Sequence, residues 1–540
     1  MKNILKISLA TLASAALLSG CIKEEFPTDK ATAGQVSQSA SALEAMVKGI
    51  PTALIKPCSL SAYPDSHWNF SLPAIMLATD NATGDMAITG DSGYDWFAWW
   101  GTNTSLGENY AVGDLTWKNY YTWIKACNDI IGTVDEDALT ATTKHVLGFA
   151  CTYRASFYLD LVRIYEFKEN NYTSAANLIG MGVPIVTEST SEAEAKNNPR
   201  ATADDVYTQI IFPDLEKAAT LLADYSAPDA YTPSLGLVYG LMARAYLDRG
   251  TAGNDAEAYK KAAEYARKAI TTSGCSPLTQ DQWEDPINGF NNAGANNAWI
   301  WGIPITSDNV ANLMNFQAHM GNEESWGYGH SVGRACDRAL YNSIDIKDFR
   351  KHSWLDPDRT AYAYKSCRPD GAKYFASLKD LVNIKFRPAK GVYNDYKVGG
   401  TTDIVRMRVE EMYLIEAEAT AYSNLPAAQQ LLNAFMKYRI TDGSYDCSDR
   451  TATLETFLNE LILQKRIEFW GEGIIMFDLK RLNHSMTRGY KGTNHPLDYR
   501  LNTDGRSPVW SFVITRGESM NNPAVVNNPD PSGKIKPWTE

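Results

Sequence analysis

Apolar side chains recur at helical spacing along much of the chain, most clearly in two neighbouring stretches. Residues three or four positions apart share one face of an α-helix. The first stretch places apolar side chains or aliphatic stems on one such face at Leu235, Val238, Tyr239, Met242, Ala245, Tyr246 and Arg249. The second, after a predicted break at 250–254, does the same at Ala258, Ala262, Tyr265, Ala266 and Ala269. Each stretch is therefore predicted to be a helix with one buried face.

The alanines of the second stretch favour close packing of these two helices as an antiparallel pair. Small side chains let helices approach closely, as they do in tetratricopeptide repeats. The pattern of Ala243, Tyr246 and the segment 262–270 fits a tetratricopeptide-type pair loosely. A generic helical hairpin fits nearly as well, so the sequence leaves both interpretations open.

The remaining periodicity predicts further helices, separated by two long irregular stretches. The helices are expected at 116–131, 141–166, 204–222, 405–423, 427–440 and 454–471. Segments from about 80 to 109 and from about 276 to 397 are rich in Gly, Asn, Asp and Pro, which favours loops, with a short strand at 298–303. The chain is thus predicted to be mainly α, with long loops displayed on a helical scaffold. Long ordered loops on a rigid frame usually carry function.

The first twenty-one residues have the layout of an export signal. Two lysines precede an apolar run at 7–18, which is shorter than the roughly 20 residues of a membrane-spanning helix. Small residues then lead directly into Cys21, a pattern that resembles the lipobox of bacterial lipoproteins. The resemblance implies a signal peptide over 1–20 and a lipid on Cys21, and the polar composition of 21–41 predicts a flexible tether. An ordinary cleavage site beside a chance cysteine is the alternative.

Composition indicates an acidic, water-soluble globule. The 540 residues are 44% hydrophobic and 21% charged, with a formal net charge of −12 and no Lys/Arg-rich block. Such a surface repels phosphate backbones, so nucleic acid is not expected as a partner. The cysteines and histidines are scattered without the spacing of a disulfide framework or a metal site. No cofactor or metal is therefore expected.

Two short strings mimic serine hydrolases, but their surroundings do not support catalysis. Residues 329–333 read GHSVG, the form of a nucleophile elbow around Ser331, yet the preceding residues are polar and glycine-rich where an elbow needs a buried strand. Residues 90–93 read GDSG, with too little sequence upstream for the partners of a chymotrypsin-type serine. Carboxylate pairs at 410–411 and 416–418 lie in a predicted helix, where they are expected to face solvent or to pair with Arg406 and Arg408. No catalytic residue is assigned, and a surface hydrolase using Ser331 or a carboxylate pair stays a lesser alternative.

Aromatic residues in the two loop-rich stretches give the stronger functional signal. The apolar face of a sugar ring stacks on an indole while nearby amides bind its hydroxyls, and a few rigid aromatic anchors can supply most of a binding energy. We therefore predict a ligand-binding surface that combines stacking rings with two hydrogen-bonding amides. Its members are Trp96, Trp99, Trp100, Trp326 and Tyr328, with Asn103 and Asn322 as the amides.

Large aromatic side chains are also mostly buried in proteins, so not every ring can serve a ligand. Among Trp96, Trp99 and Trp100 we expect at least one ring packed in the core and at least one exposed. Tryptophans within regular helix or strand patterns are expected in the core, namely Trp123, Trp299, Trp301 and Trp470.

Three segments of the C-terminal third resemble the SusD/RagB-like outer-membrane proteins of Bacteroidetes. Residues 406–419, RMRVEEMYLIEAEA, are similar to a characteristic helix of that family. Residues 461–482, LILQKRIEFWGEGIIMFDLKRL, are similar to its closing helix and turn, and 431–439 match a third motif loosely. Lys465, Ile475 and Asn483 depart from the usual family residues, and these differences weaken single positions only.

The resemblance implies a fold, a location and a function. It implies a right-handed scaffold of tetratricopeptide-like hairpins, with an N-terminal part at 42–275 and a C-terminal part at 276–540 packed as one globule. It also implies a lipoprotein on the outer face of the outer membrane, with the acidic pair Glu24 and Glu25 resembling a surface-export signal. Such proteins capture oligosaccharides, or peptides in some members, for a SusC-like TonB-dependent transporter and catalyse no reaction. Their ligand sites correspond to the loop regions at about 96–103 and 326–328 here.

Overall fold

The computed structural model describes residues 39–57, 66–89 and 95–540. The predicted signal peptide at 1–20, the lipidation site at Cys21, most of the tether and the GDSG string at 90–93 lie outside these ranges.

The N-terminal half of the described chain is built from helices that pack against their neighbours in sequence. In chain order they are α1 (Ala40–Ala53), α2 (Leu72–Asn81), α3 (Trp96–Gly101), α4 (Ala111–Ile131), α5 (Ala141–Tyr165), α6 (Glu192–Ala195), α7 (Ala203–Val206), α8 (Phe212–Leu221), α9 (Leu235–Gly253) and α10 (Ala256–Ser273). A π-helical turn, Tyr207–Ile211, joins α7 to α8. The predicted helix at 204–222 is therefore interrupted, just before Pro213, whose ring nitrogen has no N–H to donate.

The C-terminal half alternates short helices with long loops. Its helices are α11 (Gln280–Glu284), α12 (Phe316–Met320), α13 (Arg338–Ser343), α14 (Gly371–Ser377), α15 (Tyr396–Gly399), α16 (Val409–Ala421), α17 (Leu425–Met436), α18 (Leu454–Glu468), α19 (Ile475–Arg481) and α20 (Arg516–Asn521). Helix α18 ends before Gly471, which has the left-handed φ of 79° that favours glycine. None of the helices in the described ranges combines the length and the apolar character that crossing a membrane requires.

Two small antiparallel sheets tie distant loops to this scaffold. Strand β1 (Met86–Ile88) pairs with β3 (Arg334–Cys336), and β2 (Trp299–Ile303) pairs with β4 (Ile404–Arg408). The prediction of a single helix over 405–423 is wrong at its start, because β4 occupies 404–408 and α16 begins at Val409. Positions 405–408 alternate between apolar and polar, but this strand has only five residues and continues directly into α16, so the helical periodicity that follows made it difficult to distinguish.

The predicted helical pair is present as α9 and α10, with a later break than expected. Helix α9 continues through Gly250 to Gly253, and the turn falls at Asn254, in the left-handed region with φ 49°. A Cβ atom at Gly250 would lie 2.7 Å from the Tyr259 ring, so this glycine permits the close approach of the two helices. Ala262, Ala266 and Ala269 are fully buried in α10, as expected for small residues at a helix interface. The mainly α fold with tetratricopeptide-like hairpins, long loops and short strands is confirmed.

Buried ion pairs hold the segments that carried the family resemblance. Arg408 contacts Glu410 at 2.8 Å and Glu468 at 3.0 Å, and Arg439 bonds the same two carboxylates. All four side chains are fully buried, and Glu411 pairs with the buried Arg244. The expected pairing with Arg408 is therefore confirmed for Glu410, whereas Arg406 pairs with Asp160 instead. Neither Glu410 nor Glu411 faces solvent. The carboxylates brace strand β4 and helices α16 to α18 against one another.

Candidate functional site

Helix α3 has six residues, fewer than two full turns, and its geometry determines which tryptophans of the first predicted region face outward. Asp95 begins the helix by accepting hydrogen bonds from the backbone N–H groups of Phe97 (3.1 Å) and Ala98 (3.4 Å). Residues i and i+3 share a face, so Trp96 and Trp99 lie together, with ring centroids 5.1 Å apart. Trp99 is 41% exposed and Trp96 is half-buried, whereas Trp100 is only 6% exposed. The expectation of at least one packed and one exposed ring is confirmed.

The indoles of α3 continue into a row of packed aromatic rings. Trp68 meets Trp96 edge-on at 6.5 Å and Trp100 at 5.9 Å. Phe97, on the inner face of α3, contacts both Trp100 (5.2 Å) and His319 (5.1 Å). Edge-to-face contacts at these distances stabilise aromatic pairs beyond the burial of their area. The exposed indoles are thus backed by a rigid layer of rings.

The same row reaches Tyr328, in the second predicted region. The Tyr328 ring stacks on the buried His319 imidazole, with centroids 4.9 Å apart and planes 19° apart. Its hydroxyl lies 2.8 Å from Nδ1 of His67, an exposed side chain that follows the same surface. Residues more than two hundred positions apart in sequence therefore form one contiguous aromatic surface. We refer to Trp96, Trp99, His67 and Tyr328, its exposed or half-buried members, as the aromatic surface.

A buried ion pair fixes the two regions relative to each other. Arg334 begins β3, directly after the loop that carries Tyr328, and its guanidinium pairs with the Asp95 carboxylate. Both side chains are completely buried. Because Asp95 also caps α3, one carboxylate sets both the start of the tryptophan helix and its distance from the Tyr328 loop.

Glycines allow the loop at 321–333 to fold tightly over α12. Gly327 has φ 86°, and a Cβ atom there would lie 2.5 Å from the Ala318 carbonyl oxygen. Gly329 donates its N–H to the same carbonyl at 2.9 Å.

Two buried titratable groups lie in and below this loop. Burial raises the pKa of Glu324, within the loop, to about 8, and burial lowers the pKa of His319, on α12, to about 4. The imidazole that supports Tyr328 is therefore neutral at neutral pH.

Trp326 belongs to a second aromatic group rather than to the row of α3. Its half-buried ring meets Tyr396 of α15 edge-on at 6.4 Å. Nearby, the guanidinium of Arg368 lies over the rings of Tyr374 (3.8 Å) and Tyr393 (4.4 Å). The Tyr393 carbonyl accepts a hydrogen bond from the Ser325 N–H at 2.9 Å, which ties this group to the Tyr328 loop.

The two predicted amides are enclosed in this structure. Asn322 is 1% exposed, and its amide donates to the carbonyls of Met320 (3.2 Å) and Asn383 (2.9 Å). Asn103 is 2% exposed and has the left-handed φ of 57° at the end of α3. Both side chains shape the loops from within, and their contact with a ligand stays a prediction.

Several residues of the surface were missed by reasoning from the sequence. His67 and Trp68 come from the string HWNF at 67–70, whose aromatic density was a usable signal. His319, Tyr393 and Tyr396 had no such signal, because only the folded chain brings them beside Tyr328 or Trp326.

The serine of the GHSVG string has no catalytic surroundings. Ser331 is exposed and donates its hydroxyl to the Tyr328 carbonyl at 3.3 Å, while His330 lies against the Tyr374 hydroxyl at 3.3 Å. A nucleophile elbow requires a strand before the serine, whereas here the strand β3 comes after the GHSVG string. Within the described ranges no group of three or more His, Cys, Asp or Glu side chains is placed to hold a metal ion.

The helical scaffold thus presents the exposed Trp99 and the half-buried Trp96 on a short helix. Comparison with known proteins identifies the family. A model described as "Starch-binding associating with outer membrane" matches residues 62–247, and the SusD family model matches residues 311–530. The chain belongs to the SusD/RagB family, a family of carbohydrate-binding proteins that associate with the outer membrane. No significant match was found among curated proteins.

Solved structures show the same fold at low sequence identity. A SusD-like carbohydrate-binding protein from Bacteroides vulgatus superposes with a TM-score of 0.68 at 21% identity, over 93% of this chain and 99% of that one. A SusD superfamily protein from Bacteroides thetaiotaomicron gives 0.66 at 20% identity, over 91% and 100%. Surface glycan-binding protein A from Bacteroides uniformis gives 0.62 at 19% identity, over 91% and 99%.

Proposed function

We propose that this protein is a non-catalytic, cell-surface glycan-binding lipoprotein that captures oligosaccharides for a SusC-like TonB-dependent transporter. The observation that carries the proposal is the aromatic surface, in which Trp99 and Trp96 of α3 and Tyr328 belong to one supported row of rings. Exposed rings of fixed orientation lose little conformational freedom when they bind, which favours stacking on a rigid sugar ring.

Calorimetric titration with a panel of neutral oligosaccharides tests this surface. The double variant Trp96→Ala/Trp99→Ala should lose most of its affinity, by at least tenfold, because both outward indoles are removed. Tyr438→Ala is a matched control, since Tyr438 is 43% exposed and belongs to a different ring group with Tyr413. Unchanged binding by the double variant would place the ligand elsewhere.

Peptide cargo is the main alternative, and the same titration separates it from glycans. Peptides bound through backbone hydrogen bonds depend less on indole faces than sugars do. Binding of peptides but of no oligosaccharide in the panel would contradict the glycan proposal while leaving the transporter role in place.

The lipid anchor and the transporter partner are proposed from the sequence pattern at Cys21 and from family membership. Cys21→Ala should release the protein from the outer-membrane fraction, because it removes the thiol to which the lipid is attached. Pull-down of the wild-type protein from native membranes should recover a large TonB-dependent transporter. Repeated recovery of the protein alone would contradict that partnership.

A further inference from the structure

A cavity of about 510 Å³ with both polar and apolar lining opens beside the segment that supports Trp326. Its walls come from the turn at 287–292, the stretch after β2 at 305–307, and the segment 387–403. This volume lies within the range of about 300 to 1,000 Å³ that is typical of small-molecule sites. The amides of Asn288 and Asn292 and the hydroxyls of Thr306 and Ser307 line it, and such groups suit the hydroxyls of a sugar.

Two lysines give the lining of this cavity a net positive charge. Lys390 and Lys397 both line it, both are exposed, and neither forms an ion pair with any residue in the described ranges. Arg387 also lines the cavity, but its guanidinium is paired with the buried Glu323. The lining carboxylate Asp403 accepts hydrogen bonds from two neutral donors, the Tyr231 hydroxyl at 2.8 Å and the Ala293 N–H at 3.1 Å. Its charge therefore offsets at most one of the two lysines, and the lining keeps a net positive charge.

The backbone holds Lys390 in an unusual conformation at the mouth of the cavity. Lys390 has φ 57° and ψ 19°, in the left-handed region that non-glycine residues rarely adopt. Gly391 follows with φ 66°, and a Cβ atom there would lie 2.5 Å from Cδ1 of Ile287 on the opposite wall. A hydrogen bond from the Gly391 N–H to the Pro388 carbonyl, 3.0 Å long, closes the turn. Strain of this kind persists where the surroundings fix the backbone, and it is frequent at ligand sites.

The cavity is joined physically to the second aromatic group. Lys397 lies on α15, whose Gly399 packs so closely that a Cβ atom would lie 3.3 Å from both Pro388 and the Trp326 ring. Tyr396, next to Lys397, contacts the same indole. Helix α15 therefore contacts both the turn that carries Lys390 and the ring of Trp326.

We propose that this cavity binds the acidic group of an anionic oligosaccharide, a carboxylate or a sulfate, between Lys390 and Lys397. The amides and hydroxyls of the lining bind the neighbouring ring hydroxyls. This inference rests on the proposed function and deepens it by naming the class of glycan. The net charge of −12 opposes polyanions at long range. A local pair of free ammonium groups admits a short acidic oligosaccharide, whose total charge is small, instead of a long polyanion.

Calorimetric titration with three defined probes tests the site on the full mature protein. The probes are tetragalacturonate, its fully methyl-esterified form and a chondroitin sulfate tetrasaccharide, so that a carboxylate sugar, a neutral ester and a sugar with both carboxylates and sulfates are compared. We expect at least one acidic probe to bind at least tenfold more tightly than the ester, with an affinity that falls as salt rises. Lys390→Ala/Lys397→Ala should reduce that binding at least tenfold, and Lys390→Arg/Lys397→Arg should retain most of it.

The control variant Lys491→Ala/Lys536→Ala removes two exposed lysines that do not line the cavity, and it should bind as the wild type does. Equal binding of acidic and esterified probes, or acidic binding that survives Lys390→Ala/Lys397→Ala, would overturn the inference. If the protein binds neutral oligosaccharides through Trp96 and Trp99 but shows no preference for acidic probes, this inference alone is overturned and the proposed function stands. Failure of every neutral and acidic probe to bind would refute the proposed function as well.

Discussion

Trp99 and Trp100 are neighbours in sequence with opposite surroundings. The helical rotation of about 100° per residue turns Trp99 outward and Trp100 onto Phe97 and Trp68. The sequence predicted that these tryptophans lie in a loop, whereas they lie on helix α3, and their role in binding stays a prediction. A helix of six residues leaves no periodic pattern long enough to reveal which ring faces solvent.

The contrast between these two rings predicts separate effects on stability and on binding. Trp100→Ala should lower the free energy of unfolding by about 3 to 5 kcal/mol, because it empties a core position. Trp99→Ala should change that free energy by less than about 1 kcal/mol, yet weaken oligosaccharide binding by about 1 to 3 kcal/mol. Urea unfolding and calorimetry measure the two quantities. Equal destabilisation by both substitutions would contradict the assigned orientations.

His319 links the aromatic surface to pH. Burial lowers its pKa to about 4 in the folded protein, from about 6.5 in the unfolded chain. Between these two pH values the unfolded chain binds more protons at His319 than the folded protein does. The free energy of unfolding therefore falls as the pH falls from about 6.5 towards 4, by about 3 kcal/mol in all. His319→Phe keeps a ring beside Tyr328, and its stability should fall less between pH 7 and pH 5 than that of the wild type.

Urea midpoints at the two pH values, with the exposed His330→Gln as a control, measure this difference in slope. Glu324, whose pKa burial raises to about 8, contributes the opposite slope, but equally in both proteins. Identical slopes for wild type and His319→Phe would contradict a buried neutral imidazole.

At the scale of elements, the position of α3 depends on one carboxylate. Asp95 caps the helix and pairs with Arg334 at the start of β3, so it joins the two loop regions of the aromatic surface. Asp95→Asn keeps a capping oxygen but leaves the Arg334 charge buried without a partner, which should cost about 3 to 5 kcal/mol. Arg334→Met, in the Asp95→Asn background, should recover part of that loss. Unfolding measurements on the single and double variants test this, and a near-neutral Asp95→Asn would contradict the pairing.

The long helices were predictable from the sequence and the junctions between elements were not. The predicted helix at 141–166 corresponds to Ala141–Tyr165, and the strand at 298–303 corresponds to Trp299–Ile303. Strand β4 was missed because it has only five residues and continues directly into α16. The meeting of α3 with the Tyr328 loop depends on contacts across more than two hundred residues, which no local pattern encodes.

At the scale of the molecule, buried charges, a main apolar core and smaller apolar clusters hold the scaffold that carries these loops. The core draws on side chains from Leu43 to Ile535, so segments from both halves contribute to it. The division at residue 275 stays a prediction. The network of Arg408, Arg439, Glu410 and Glu468 joins segments that the sequence marked only as family motifs.

Removal of one member of this network should be strongly destabilising. Arg439→Met removes one of the positive charges that neutralise the fully buried carboxylates of Glu410 and Glu468. It should lower the free energy of unfolding by about 3 to 5 kcal/mol. Lys125→Ala is the control, because it breaks an exposed pair with Asp129 and should change stability by less than about 1 kcal/mol. Chemical unfolding compares the two, and similar small effects would contradict the structural role of the network.

The central claim is that a sugar ring binds on the indole face of α3. A crystal structure with the tightest-binding oligosaccharide of the titration panel tests it most directly. The account predicts a pyranose ring in van der Waals contact with Trp99, and the remainder of the ligand extending towards Tyr328. A ligand bound at any other surface, with both outward indoles of α3 untouched, would contradict it.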